Sequence, residues 1–281
     1  MTCYLKNSEW YSSVTVPEGM NLDMINMPDR LTTLLKPGLD LVVDGSIVMD
    51  MGAGTGVMGL YALSKGAKFV YFVEADPQMG YILENTLPNK IDPSRYKLIK
   101  KDLEYLTVAD FDQGLPEVAV SEFYGPRLFD EGYIAYSKHV RTICPDCHFI
   151  PDTFKCDFYI VDIDYSQPIW PNDSTLIDQF KFMYAEKGFA KHITNYSKDN
   201  YIGTIDFSAN MQKFNNLVEF KYSLHTEQLL LGVMTIEHGN LVQDYTCMGW
   251  YMNNSDFDKE FKIYFDADHH FNPRKIELNV K

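Results

Sequence analysis

Two stretches of this 281-residue chain hold residues whose types and spacing can do chemistry. The first is Asp50-Met51-Gly52-Ala53-Gly54-Thr55-Gly56, set between a short apolar run and a helical pattern. Glycines in that place let a backbone turn sharply and approach a ligand closely, so the loop reads as a nucleotide-binding turn. Gly54-Thr55-Gly56-Val57-Met58-Gly59 also satisfies G-x-G-x-x-G, a pattern that nicotinamide-dinucleotide sites share. Glu74 stands 22 residues after Gly52, at the end of the next apolar run, where a carboxylate can accept hydrogen bonds from both hydroxyls of a ribose. The second stretch is Cys144-Pro145-Asp146-Cys147. A structural zinc site needs two more close ligands, and His148, Cys156 and Cys247 offer no second tight pair, so no metal is expected.

The elements that position these residues follow from hydrophobic patterning. Asn21 to Lys36 repeats its apolar residues at helical spacing, with Pro28 near the start and Pro37-Gly38 as the expected stop. From Ser46 the chain alternates. SIVMDM, KFVYFVEAD, YKLIKKD and EVAVSEF are short strands, the first two apolar enough to be buried on both faces. The stretches 57–66, 77–87 and 132–143 read as helices. That alternation argues a parallel sheet with crossover helices over 46–150. After Pro151 the pattern becomes short strands of period two: FKCDFYIVDID, LVEFKYSL, QLLLGVMTIEHG, QDYTCMGWYM, EFKIYFDAD and RKIELNVK. Turns are expected at Gly239-Asn240, Asn253-Asn254 and Asp268-His269. Residues 151–281 are therefore expected to form an antiparallel sandwich or barrel. The stretch 168–200, whose patterning is weaker, reads as a helical insertion or arm.

Composition narrows the class. With 46% hydrophobic residues the chain has the material for a full core. Twenty-five basic against thirty-nine acidic residues give a net charge of −14, which repels phosphate backbones and anionic lipid and attracts a cation. No window has the length of a membrane span, and the start lacks a signal-peptide pattern. A cytoplasmic protein that binds neither nucleic acid nor membrane is the expectation.

Two details of the glycine loop favour S-adenosylmethionine (SAM) over NAD. In register with the strand end the loop reads G-x-G-x-G, through Gly52, Gly54 and Gly56, and Asp50 precedes it by two places. Methyltransferase loops commonly read D-x-G-x-G-x-G, with that carboxylate fixing the cofactor's amino-acid end. The stretch Ser121-Glu122-Phe123-Tyr124-Gly125-Pro126-Arg127-Leu128-Phe129-Asp130-Glu131 then resembles the double-glutamate loop S-E-x-M-G-x-x-L-x-x-E of the protein arginine methyltransferases. The likeness spans roughly 20–281. Met24 and Arg30 keep the family's spacing between a pocket methionine and an arginine for the cofactor carboxylate. Glu104, beside Asp102 and Leu103 after the third strand, falls at the family's adenine-facing position. The passage 144–152 resembles the family's entry into its barrel domain.

The resemblance implies a Rossmann-like class I methyltransferase domain over 46–150, preceded by a helical lid over 1–45. A β-rich, barrel-like domain follows over 151–281, with a homodimerisation arm at 168–200. It implies catalysis by Glu122 and Glu131, a cofactor held by Arg30, Asp50, Gly52, Gly54, Gly56, Glu74, Asp102, Leu103 and Glu104, and an acceptor pocket of Met24, Tyr124, Tyr133 and Trp250. Two carboxylates can grip a guanidinium bidentately, and one can take the released proton. There are departures. The family's Y-F-x-x-Y segment has no clear match, and Thr246-Cys247-Met248-Gly249-Trp250 stands where T-H-W is expected. Another small guanidine or amine, and a catalytically weak SAM-binding interaction protein, stay open as alternatives to protein arginine.

Overall fold

The computed structural model describes residues 2–4, 31–123, 132–163, 176–177, 180–185, 193–194, 201–210, 213–215, 217–221, 228–252, 260–264 and 275–279. Thr2–Tyr4 is strand β1. A π-helical turn, Leu31–Leu35, runs directly into helix α1, Lys36–Val42. Then come β2 (Ile47–Met51), α2 (Val57–Ser64), β3 (Phe69–Val73), α3 (Pro77–Thr86), β4 (Tyr96–Ile99), β5 (Val118–Ser121), α4 (Tyr133–Ile143) and β6 (His148–Ile150).

Strands β2 to β6 form one parallel sheet in the order β4-β3-β2-β5-β6. Every residue of β2, β3 and β5 is buried, which explains their continuous apolar runs. One face, with Val48, Val70, Phe72, Val118 and Val120, packs on Leu35 and Leu39, on Met58 and Ala62 of α2 and on Leu83 of α3. The other face, with Met49, Met51, Tyr71, Val73 and Ala119, shares a core with α4 and with Phe154, Phe158, Phe207 and Ile236 of the second half. The chain winds outward through β2, β3 and β4, then reverses to β5 on the other side of β2. The carboxyl ends of β2 and β5 thus flank the point where strand order reverses, the place where open α/β sheets bind ligands.

Beyond Pro151 the described strands are antiparallel. An eight-stranded sheet includes β7 (Thr153–Ile163), β8 (Leu176–Ile177), β9 (Phe180–Ala185), β10 (Ile193–Thr194), β11 (Tyr201–Ser208), β12 (Lys213–Asn215), β14 (Gln228–His238) and β15 (Leu241–Met252). The four-stranded sheet joins β1, β13 (Leu217–Lys221), β16 (Glu260–Tyr264) and β17 (Lys275–Asn279). Among the described residues neither sheet closes on itself, so the antiparallel half of the expectation holds and closure into a barrel is not seen.

Three sequence expectations are corrected. The helix does not stop at Pro37-Gly38. Pro37 sits in the first turn of α1, where its missing N–H is not needed, and Gly38 packs under Ile150 and His238. The described residues within 168–200 are strands, not a helical insertion. Phe180–Ala185 is rich in β-favouring aromatics and pairs along β15, with Phe182 opposite Trp250. Residues 2–4 belong to a sheet, where Thr2 pairs with Glu277, rather than to a helical segment. The Gly239-Asn240 turn joins β14 to β15 as expected. Residues 21–30, including Pro28, and the turns at 253–254 and 268–269 lie outside the described residues. Among the described residues no helix is long and apolar enough to cross a membrane.

Candidate functional site

The loop after β2 is built by backbone geometry. Gly52, Gly54 and Gly56 all take left-handed φ angles, of 65°, 52° and 75°. At Gly52 the requirement is double, because a Cβ there would also collide with the ring of Phe123. Gly59 in the first turn of α2 has a different reason. A Cβ on it would strike Phe72, so the third glycine of the G-x-G-x-x-G pattern serves close packing of α2 on β3.

Two carboxylates brace this loop. Asp50 points from β2 to the first turn of α2 and accepts the Gly59 N–H at 2.8 Å. It is 3% exposed. Burial raises its pKa to about 7; the Gly59 N–H opposes the rise, and the charges of Glu74 and Glu122 add to it. Asp50 thereby ties strand to helix beneath the loop. Glu74, 8% exposed at the end of β3, accepts the Gly54 N–H and the Asp76 N–H, each at 2.7 Å. Burial raises its pKa, against the pull of those N–H groups. It fixes Gly54 while holding its carboxylate at the carboxyl end of the sheet.

Asp102 caps the short helical turn Leu103–Tyr105 by accepting the Glu104 N–H at 3.0 Å. Leu103 is buried in the core and Glu104 half-buried. Tyr136 of α4 donates its hydroxyl to Asp102 Oδ2 at 3.3 Å. Burial raises the Tyr136 pKa first, and the charges of Asp102, Glu104 and Glu74 add to that. The tyrosine therefore stays a phenol amid three of the carboxylates singled out from the sequence.

Glu122 leaves β5 beside the glycine loop. Met51 and Ser121 are register partners across β2 and β5, so Gly52 and Glu122 are the next residues on neighbouring strands. Glu122 is half-buried and near enough to Asp50 to raise its pKa. The structure thus gathers Asp50, Glu74 and Glu122 at the carboxyl ends of adjacent strands, with Asp102 and Glu104 one strand further out. A ligand with positive charge suits that donor set. Glu131, Tyr124, Met24 and Arg30 lie outside the described residues. Trp250 lies in β15, paired with Leu230 and Phe182.

Tyr133 is corrected. Its side chain is fully buried, its ring packs on Phe154 and Phe207, and its hydroxyl donates to the Pro151 carbonyl. The first turn of α4 faces the shared core, so this position joins two halves of the fold instead of lining a pocket. Cys144 and Cys147 are buried thiols; burial pushes Cys144 up to about 11 and Cys147 higher. No metal-binding group of side chains occurs among the described residues. Sequence reasoning missed Phe123 and Tyr136. The rings sit 5.3 Å apart, Phe123 over Gly52 and Tyr136 on Asp102. For Phe123 the signal was an aromatic side chain next to Glu122.

The chain is similar to known proteins in sequence and in fold. Residues 32–109 match a family described as conserved hypothetical protein 95. A protein arginine N-methyltransferase 6 from Danio rerio is 32% identical over 156 residues, covering 55% of this chain and 42% of that protein. A probable protein arginine N-methyltransferase 3 from Arabidopsis thaliana is 28% identical over 152 residues, covering 51% of this chain and 25% of that protein. The chain thus spans less than half the length of these curated relatives. Among solved structures, PRMT6 with SAH superposes with a TM-score of 0.63 at 13% identity, covering 92% of this chain and 100% of that one. A Trypanosoma brucei PRMT1 enzyme-prozyme heterotetramer with AdoHcy gives 0.60 at 16% identity, covering 92% and 91%. Over about half of its length the chain is similar in sequence to the protein arginine N-methyltransferases, and its fold is similar to theirs.

Proposed function

We propose that the protein is a SAM-dependent methyltransferase whose acceptor is a guanidinium nitrogen of arginine, held by Glu122 and Glu131. The observation that carries this reading is the placement of Glu122 one step from Gly52 at the reversal of strand order, beside the carboxylates of Asp50 and Glu74. The residues fit the cofactor. The left-handed glycines turn the backbone sharply at the carboxyl end of β2, Glu74 offers an acceptor for ribose hydroxyls, and the surrounding carboxylates favour a sulfonium. When bound, SAM supplies an electrophilic methyl group. The protein's part is chiefly positioning, since in-line displacement needs close, aligned partners. Gly52, Gly54 and Gly56 let backbone approach the ligand, Glu74 fixes the loop, and Asp102 and Glu104 bound the site beyond β4. Glu122 orients the guanidinium and draws its positive charge away from the attacking nitrogen. One carboxylate of the pair accepts the proton released on transfer.

Within the same reading, 46–150 is the cofactor unit, 1–45 its lid, and the antiparallel strands of 151–281 form a barrel-like acceptor-side domain. Residues 168–200 then serve a homodimer through the end of the eight-stranded sheet. Incubation with methyl-labelled SAM against an arginine-rich peptide, its lysine counterpart and free arginine tests the assignment. Label is expected in the arginine peptide; label in the lysine peptide alone contradicts it.

A further inference from the structure

Phe123 and Tyr136 connect parts of the site that the carboxylates alone leave separate. The Phe123 ring lies on Gly52, close enough that a Cβ there would collide with it. The same ring packs against Tyr136 with centroids 5.3 Å apart and planes at 39°, within the range of attractive aromatic pairs. Tyr136 then donates to Asp102 Oδ2 at 3.3 Å, and Asp102 holds the Glu104 N–H. Both rings pack against the core that backs the parallel sheet. One contact chain therefore runs from the segment carrying Glu122, through the glycine loop and α4, to the turn after β4. Phe123 is the residue next to Glu122, and Gly52 and Tyr136 flank its ring.

We propose that Phe123 and Tyr136 are positioning residues that couple occupancy of the glycine loop to the placement of Glu122. This rests on the reading of the glycine loop as a SAM site. A ligand that orders the glycine loop and the Asp102–Glu104 turn orders both supports of Phe123, and so restricts Glu122 before any acceptor arrives. Neither aromatic is assigned to the reacting atoms. Their role differs from plain packing in one way: it shows only when cofactor is added.

Amide hydrogen exchange with and without SAM tests this on the whole protein. In the wild type, SAM is expected to slow exchange both in 52–60 and in 118–123. In Phe123→Leu, which keeps an apolar side chain, SAM should still slow 52–60, while the slowing in 118–123 shrinks about tenfold or more. Tyr136→Phe, which removes only the hydroxyl on Asp102, should shrink it by a smaller factor. Transfer to an arginine peptide should fall in kcat more than cofactor affinity changes, and Phe123→Trp should restore part of it. SAM slowing 118–123 equally in the wild type and in Phe123→Leu overturns the coupling. So does a wild type in which SAM slows 52–60 but leaves 118–123 unchanged. A wild type that shows no response to SAM in 52–60 overturns the cofactor reading itself, a distinct result.

Discussion

The carboxyl rim of the parallel sheet and the antiparallel strands packed behind it use buried polar groups in different ways. At the rim, Asp50 and Glu74 are almost completely buried yet hold carboxylates beside one another and beside Glu122, and burial raises the pKa of both. Behind it, buried and half-buried polar groups are paired across neighbouring segments. Ser208 donates to Asp152, which also accepts the Asn210 N–H, and Lys155 pairs with Glu237 across β7 and β14. Carboxylates crowded together cost stability and mark a place where a cation fits. Charge that is paired marks structure. Substitutions at the rim should therefore disturb binding more than folding, and those behind it the reverse.

The largest expected effect on binding comes from two glycines with nearly equal backbone angles. Gly52 has φ 65° and Gly239, in the β14–β15 turn, has φ 58°. Each Gly→Ala change places an L side chain in the left-handed region, at a cost of about 1–2 kcal/mol. At Gly239 nothing lies within 4 Å of the new Cβ, while at Gly52 it meets Phe123. Gly52→Ala should weaken SAM binding by about 10²-fold or more, measured by calorimetry. Gly239→Ala should leave binding unchanged and lower stability slightly. Equal effects on binding would erase the distinction between the regions.

Phe154→Ala probes the opposite case. Phe154 is fully buried where β7 meets Tyr133 and Phe207. Denaturant unfolding should show a loss of about 3–5 kcal/mol. The protein that remains folded should bind SAM with nearly wild-type affinity.

Asp50→Asn sharpens the rim. The folded pKa of Asp50, about 7, lies above its ordinary value of 3.8. The folded state therefore binds a proton that the unfolded state has lost between those values. The protonated carboxyl contributes stability in acid, and that contribution is lost as pH rises through about 7. Stability measured from pH 4 to 8 should fall less in Asp50→Asn than in the wild type, and at pH 8 the variant should be more stable by about 1–3 kcal/mol. A wild type whose stability rises over that window would remove Asp50 from the account.

Much of this was legible in the sequence, for reasons that differ by residue. Strands β2, β3 and β5 are buried on both faces, so their runs are nearly continuous, and the glycine loop and Glu74 sit at their ends. Asp50 could be found but not understood, because its bond to Gly59 spans nine residues and depends on how α2 packs on the sheet. Tyr133 sits at the expected spacing from Glu131, but the turn of α4 aims it at Phe154 and Phe207, contacts that local spacing does not encode. Strand β1 was invisible: three residues carry no period, and their partner, β17, lies at the other end of the chain. The strands within 168–200 were masked by irregular patterning, since β9 takes its register from β15. Phe123 and Tyr136 emerge only when β5 and α4 are brought together over Gly52.

In the proposed function Glu122 serves the acceptor and not the cofactor. Glu122→Gln keeps the side chain's size and removes the charge that a guanidinium needs. SAM affinity and single-turnover methyl transfer to an arginine peptide, measured on the same preparation, test it directly. Affinity should stay within about threefold of wild type while transfer falls by about 10² or more, the loss of a charge-assisted hydrogen bond in a site where charge develops. Transfer at nearly the wild-type rate, or a loss of SAM affinity as large as the loss of transfer, would contradict the account.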